Sequence, residues 1–505
     1  MHAFCRSALV ALAGLAGGCA VGPRYHAPDP AAPRAFAAAT DTGVAPAGAD
    51  ELAGWWHQLN DPELDALVER AIRSNPDIAI ALARLQQART YETVVLGHAL
   101  PEVDAAGAAG RGTGSDLTRS RAAQPLVSAD NASGLQHINS LAGFDAVWEI
   151  DLFGKYRREM EAAHYDTQAA AAARKGVLIS VIADVVRAYV DLRGFQARAA
   201  ILGKADEALR ESLRIVTIRY QRGITNELDV TLAERELAAL EAEIAPANAA
   251  ARAAAYTLAT LVGEYPEALT AELARPGLVP EMPGAVTPGL PIEVLKRRPD
   301  VEEAERGLAA ATARIGVATA NLFPQIGLVG AIGVEGQGWG TTPVARRHIW
   351  SFGPGAIWPL LDVGALDAAV SIADLETQAR LAGYRGTLWN AVREVDAAVD
   401  EFGAERERLG HLDEGVVAGT RAVVLATERY NRGLTDFLNL VDAERQLYEL
   451  EGQYVTAQMA AADAFVQLYK SLGGGWQNYQ SVPPVRRPLP AVVAAFREVL
   501  SGRAP

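Results

Sequence analysis

From Leu178 onward, apolar residues return at alternating spacings of three and four: Val181, Val185, Ala188, Leu192, Phe195, Ala199, Leu202, Leu209, Leu213, Val216 and Tyr220. Only Asp206 interrupts the series. Farther along, Leu381, Leu388, Val395, Phe402, Leu409, Val416, Val423 and Tyr430 stand seven apart. A repeat sustained at about 3.5 residues per turn predicts supercoiled helices packed seam to seam. A helix from about Lys155 to Tyr220 would be on the order of 100 Å long at about 1.5 Å per residue. That length suits a helical tube or a long coiled coil better than a globular core.

A second pattern has a period of two. In Ala142–Asp151 one alternation reads Ala142, Phe144, Ala146, Trp148, Ile150, and the other reads Gly143, Asp145, Val147, Glu149, Asp151. Ile326, Leu328, Ile332 and Val334 form a similar face after Pro324. Strands are predicted over about 101–112, 138–151, 324–336 and 347–361. Apolar-out and polar-in alternation is the pattern of a barrel wall around water, although buried soluble strands can look alike. Trp148, Trp350, Phe352 and Trp358 suit an interfacial aromatic girdle. Four strands cannot enclose an aqueous lumen, because small barrels fill with side chains, so several chains would have to share one barrel.

The two patterns belong to one unit used twice. Arg219-Tyr-Gln-Arg-Gly-Ile-Thr225 and the residues up to Glu241 align with Arg429-Tyr-Asn-Arg-Gly-Leu-Thr435 and those up to Glu451, at an offset of 429 − 219 = 210. At the same offset Trp148-Glu-Ile-Asp-Leu-Phe-Gly154 faces Trp358-Pro-Leu-Leu-Asp-Val-Gly364. Upstream, Asn75-Pro-Asp77 parallels Arg298-Pro-Asp300, and Pro101 parallels Pro324. Each unit therefore predicts a helix opening at the X-Pro-Asp step, two strands, a very long helix, a tight turn and a returning helix. The repeats span 61–270 and 271–470, with hairpin tips at about 219–230 and 429–442. Residues 19–60 read as an N-terminal tether, and 471–505 follow the second repeat as a C-terminal tail.

The N-terminus adds a destination. Residues 1–18 carry one positive residue before a short apolar run ending in small residues, the pattern of a secretory signal. Cys19 follows in Leu15-Ala-Gly-Gly-Cys19, which resembles a bacterial lipoprotein box followed by Ala20. Cys5 leaves with the signal, so the mature chain keeps Cys19 alone, without a disulfide or cysteine-based metal site. The expected modification is S-diacylglycerol with N-palmitoylation on Cys19, and no other cofactor. No stretch is long and apolar enough for a permanent transmembrane helix. A net charge of −14 argues against a nucleic-acid partner. The eight histidines are scattered without metal-ligand spacing, and no nucleophile-elbow or P-loop pattern occurs, so an enzyme is not expected.

Taken together, Gly18-Cys19-Ala-Val-Gly-Pro, Trp148–Gly154, Arg297-Arg-Pro-Asp-Val301, Asn321-Leu-Phe-Pro324 and both Arg-Tyr-x-Arg-Gly turns resemble the outer-membrane factors. These are TolC-like ducts of tripartite efflux and type I secretion, and the resemblance is to their lipoprotein branch. It implies a mainly α fold with a membrane β-barrel: a trimeric barrel in the outer membrane above a periplasmic α-helical tunnel. It also implies a homotrimer among outer-membrane lipids whose tips dock on a periplasmic adaptor serving an inner-membrane pump, here of the resistance-nodulation-division (RND) type. The family's aperture positions fall on Asp229, Asn439 and Asp442, with Asn439 where an aspartate is common. An alternative is that Asp229 and Asp442 are first-turn helix residues favoured by the dipole. Adaptor contact would fall to Arg222, Gly223, Ile224, Thr225, Arg432, Gly433, Leu434 and Thr435. The segment after Gly364 lacks the basic residue common in relatives. The expected function is a multidrug efflux duct. A duct for type I secretion or heavy-metal export, and a pore-free coiled-coil lipoprotein, are the competing readings.

Overall fold

The computed structural model describes residues 20–30, 32–38, 49–112, 137–283, 291–339 and 342–481. The signal segment, Cys19 and most of the C-terminal tail lie outside the described residues.

Short helix α1 (Ala49–Ala53) precedes the first repeat: α2 (Pro62–Ser74), α3 (Pro76–His98), β1 (Glu102–Gly112), β2 (His137–Ile150), α4 (Lys155–Gln221) and α5 (Glu227–Leu261). After a short α6 (Pro266–Thr270) the second repeat follows: α7 (Pro291–Arg297), α8 (Pro299–Ala320), β3 (Gln325–Trp339), β4 (Thr342–Ile357), α9 (Val363–Asn431) and α10 (Phe437–Ser471). The long helices have 67 and 69 residues and the returning helices 35 each, so the duplication extends to element length. Among the described residues no helix is long and apolar enough to cross a membrane.

The described residues fall into two compact units. One takes residues up to Asp29, Gln87–Ala171 and Glu303–Thr387 and holds the sheet; the other takes Pro30–Gln86, Ala172–Glu302 and the chain from Leu388. In the second unit the heptad residues Leu388, Val395, Phe402 and Tyr430 are buried and Leu409, Val416 and Val423 are half-buried, as a helix seam requires. Trp55 stacks on Tyr469 at 5.5 Å between ring centres and meets Phe465 edge-on at 5.8 Å. These rings anchor a core that includes Leu64, Leu67, Leu178, Val185 and Leu258.

Each repeat closes on itself by the same device. The residue before the helix-opening proline cannot readily be helical, so it interrupts the chain there and frees its side chain for long-range bonds. In the first repeat this is Asn75: its Oδ1 accepts from Asp77 and Ile78 amides, and its Nδ2 donates to Leu261 O at 2.8 Å. In the second it is Arg298, whose Nη1 donates to Ser471 O at 2.9 Å. Leu261 and Ser471 end the two returning helices, and each helix finishes at a glycine with positive φ, Gly263 at 77° and Gly473 at 73°. A Cβ on Gly263 would lie 2.4 Å from Ser74 O, so no other residue fits that approach.

The stretch expected to be a tether is extended but held. Val21 N donates to Phe153 O at 3.1 Å, and Arg158, itself buried, donates to Val21 O and Gly22 O. A Cβ on Gly22 (φ 86°) would lie 2.5 Å from Gly316 Cα, and one on Gly154 (φ 80°) 2.6 Å from Ala20. In the other unit Phe36 is buried in the core and Ala38 N donates to Asp396.

Candidate functional site

The four strands form one antiparallel sheet in the order β1-β2-β3-β4. Its register sorts side chains onto two faces. One face carries the rows Val103–Ala146–Gly330–Phe352, Ala105–Phe144–Ile332–Trp350, Trp148–Leu328–Pro354 and Ile150–Ile326–Ala356. The other carries Asp104–Asp145–Ala331–Ser351, Glu102–Val147–Val329–Gly353 and Glu149–Gly327–Gly355. Phe144, Ile332, Trp350 and Phe352 are 59%, 65%, 78% and 74% exposed, a continuous apolar patch that water would not tolerate. This is a barrel wall with a lipid face and an aqueous face.

Of the four aromatic residues named as a girdle, Trp350 and Phe352 lie on that patch. Trp148 and Trp358 occupy equivalent positions of the repeat and do something further. Trp148 Nε1 donates to Ala99 O at 3.0 Å, and Trp358 Nε1 donates to Leu322 O at 3.1 Å. Each indole thus ties the end of its strand pair to the last turn before Pro101 or Pro324. Phe153 and Phe323 stack beside them at 4.6 Å.

The hairpin tips repeat as closely as their sequences do. Gly223 and Gly433 have φ of 69° and 71°. Gly223 N bonds Tyr220 O and Ile224 N bonds Arg219 O; Gly433 N bonds Tyr430 O and Leu434 N bonds Arg429 O. This six-to-one, five-to-two pattern is the Schellman closure, and glycine's freedom at positive φ explains its place in both motifs. Thr225 then hydrogen-bonds Asp229, and Thr435 Oγ1 accepts from Asn439 Nδ2 at 2.8 Å, one helical turn on in each copy. Asn226 caps α5 by accepting from Asp229 N at 3.1 Å.

The acidic candidates differ in setting. Asp229 is in the first turn of its helix, so the dipole stabilises its charge. Asp442 is not in the first turn of α10, contrary to the alternative above; it accepts from Arg445 and Gln446, both at 2.8 Å. Arg432 is paired with Glu428 of its own helix, and Arg222 is exposed. Ile224 and Leu434 are 60% and 63% exposed at the turns. Sequence reasoning missed Leu228 and Leu438, which lie 210 residues apart and are equally exposed beside them. The conserved offset was the signal that could have found them.

The copies diverge just behind the tips. Tyr220 is 42% exposed, whereas its counterpart Tyr430 is buried with Val216, Phe437 and Val441. Arg219 places its guanidinium 4.4 Å from the Tyr430 ring centre and donates to Tyr430 O. Likewise Glu234 is exposed while Glu444 is buried, with one bond, from Ser212 Oγ at 3.1 Å, and an unpartnered Oε2. Burial pushes the Glu444 carboxyl from an ordinary 4.5 up to about 7, with Ser212 opposing weakly. A raised folded pKa means that the packed state is favoured below about 4.5 and loses that advantage as pH rises through about 7. We expect Glu444→Gln to leave the melting temperature at pH 4 nearly unchanged and to raise it at pH 8. The gain would be on the order of 3 kcal/mol, from about 1.4 kcal/mol per pKa unit. Equal pH slopes for the two proteins would refute this.

The duplicated strand–strand–helical hairpin, the two-faced sheet and the closed tips define a class: outer-membrane channels built as a β-barrel on an α-helical tunnel. The chain belongs to the outer membrane efflux protein family, whose model matches residues 67–264 and 290–474. Nodulation protein T of Rhizobium leguminosarum bv. trifolii is 30% identical over 92% of this chain and 96% of that protein. The outer membrane protein OprJ of Pseudomonas aeruginosa is 29% identical over 92% and 95%. The solved structure of the outer-membrane channel OprN is similar with a TM-score of 0.78 and 35% identity, covering 91% of this chain and 100% of that one. The chain is an outer-membrane efflux channel with a periplasmic helical tunnel, and its family is one of channels, not enzymes.

Proposed function

We propose that this channel is the lipid-anchored exit duct of a tripartite system that expels drugs or similar small toxic compounds. Channels of the family are homotrimers working with an adaptor and an RND pump. In this reading six tips per trimer face the adaptor, which contacts Arg222–Thr225 and Arg432–Thr435. Asp229, Asn439 and Asp442 line the aperture. The observation that carries the reading is the pair of Schellman-closed tips, each presenting two exposed apolar residues at the end of a helical hairpin. An adaptor is the partner such apolar ends suit. Relatives named as antibiotic and toluene efflux proteins of Pseudomonas putida favour organic substrates. Deleting the gene should sensitise cells to such compounds, and the full chain should restore resistance. Loss of a secreted protein or of metal tolerance, with drug tolerance intact, would favour the competing ducts.

Because Asp442 is paired with Arg445, the acidic character of the aperture rests chiefly on Asp229. A lipid on Cys19 is supported by the position of Ala20, which packs on Gly154 shortly after β2. Cys19→Ser is expected to abolish palmitate incorporation in labelled cells; persistence of the label would remove the anchor from the account.

A further inference from the structure

The lipid face of the sheet does not end in apolar residues. Every second residue of β4 shares the face of Phe352 and Trp350, and the next two in that series, moving away from the helices, are His348 and Arg346. Both are exposed. Their cross-strand partners are Val334 and Gly336, so the register places no carboxylate opposite them. Arg347, between them, points to the other face, where Glu335 is its partner. Thus the register sets Glu335 across from the arginine facing water and, among the described residues, no carboxylate across from the arginine facing lipid. In a chain of net charge −14 such a cationic spot needs a reason.

Its height supplies one. Ile357 ends β4 at the helical side, and Arg346 is eleven residues beyond it. At about 3.3 Å per residue and a tilt of about 35–45°, that is roughly 26–30 Å of height. The apolar band of an outer-membrane barrel is about 25 Å tall. Arg346 therefore clears the hydrocarbon on the far side, with His348 at its edge, where a cation costs far less than at the midplane.

We propose that Arg346 and His348 form a binding site for phosphate groups on lipid headgroups of the distal leaflet. The guanidinium offers paired donors suited to phosphate geometry, and the imidazole adds a further donor about 7 Å along the strand. This deepens the reading of the apolar face as lipid-facing and rests on it.

Two measurements on the full-length protein separate the two claims. The first asks whether the face meets lipid: in liposomes containing brominated acyl chains, wild-type fluorescence should be quenched, and the quenched component should shrink in Trp350→Phe. No Trp350-dependent quenching would remove the face and the site together. The second uses native mass spectrometry of detergent-extracted protein with diphosphorylated lipid A. Neutralising Arg346 and His348 together, as R346Q/H348Q, should lower retention of that lipid about fivefold or more, at roughly 1 kcal/mol per basic residue near a membrane surface. R347Q should bind like wild type, dephosphorylated lipid A should bind no better than to the double variant, and inorganic phosphate should not displace the lipid. Equal retention by the double variant, an equal loss in R347Q, or full displacement by millimolar phosphate would each overturn the proposal. A heat-stable oligomer on gels identifies variants that have folded.

Discussion

An arginine at Ile332 is expected to keep the protein out of the membrane, whereas an arginine at the adjacent Ala331 is expected to be tolerated. Ile332 sits at the centre of the exposed apolar row between Phe144 and Trp350; Ala331 lies in the opposite row with Asp104, Asp145 and Ser351. A cation facing lipid near the midplane costs about 2–4 kcal/mol per chain, and a shared barrel of three chains would multiply that to roughly 6–12. On the aqueous face the same side chain has water and the Asp145 carboxylate directly across the strand pair. Outer-membrane yield and the fraction of heat-resistant oligomer measure the difference. Equal loss in both variants would mean that the faces are misassigned.

The second large effect is at Arg298. It is buried and donates to Asp300, to Glu394 at 2.7 Å and to Ser471 O, so one side chain joins the start of α8, the long α9 and the end of α10. Truncation to alanine leaves two carboxylates and a helix-terminal carbonyl without their donor. The expected cost is about 3–5 kcal/mol, seen as lower denaturant resistance and faster proteolysis. Arg298→Lys should recover only part of it, since one ammonium cannot replace the planar fork. A loss below about 1 kcal/mol in Arg298→Ala would show that the closing device is not needed for stability.

Much of this architecture could be read from the sequence because the chain states it twice. The Arg-Tyr-x-Arg-Gly motif placed both tips, since glycine at positive φ is a local requirement that leaves a local mark. The period-two alternation sorted the sheet faces for a similar reason: lipid and water select opposite side chains at adjacent positions. Other features depend on which distant residues meet. Asn75 reaches Leu261 across 186 positions and Arg298 reaches Ser471 across 173, and nothing near either residue announces its partner. The indole bonds of Trp148 and Trp358 were hidden behind a plausible interfacial role. Duplication also misled slightly: Tyr220 and Tyr430, or Glu234 and Glu444, match in sequence yet differ in burial, because the two hairpins pack asymmetrically. The offsetting of Asp442 by Arg445 is a local pair one turn apart, and attention to the i, i+3 spacing would have found it.

Conductance across a planar lipid bilayer tests the central claim, that this chain forms a water-filled duct. The purified protein should give resolved steps that favour cations over anions, and Asp229→Ala should weaken that preference. A bilayer that stays silent, even after Asp229 and Asp442 are both replaced by alanine, would contradict the channel and leave a pore-free helical scaffold.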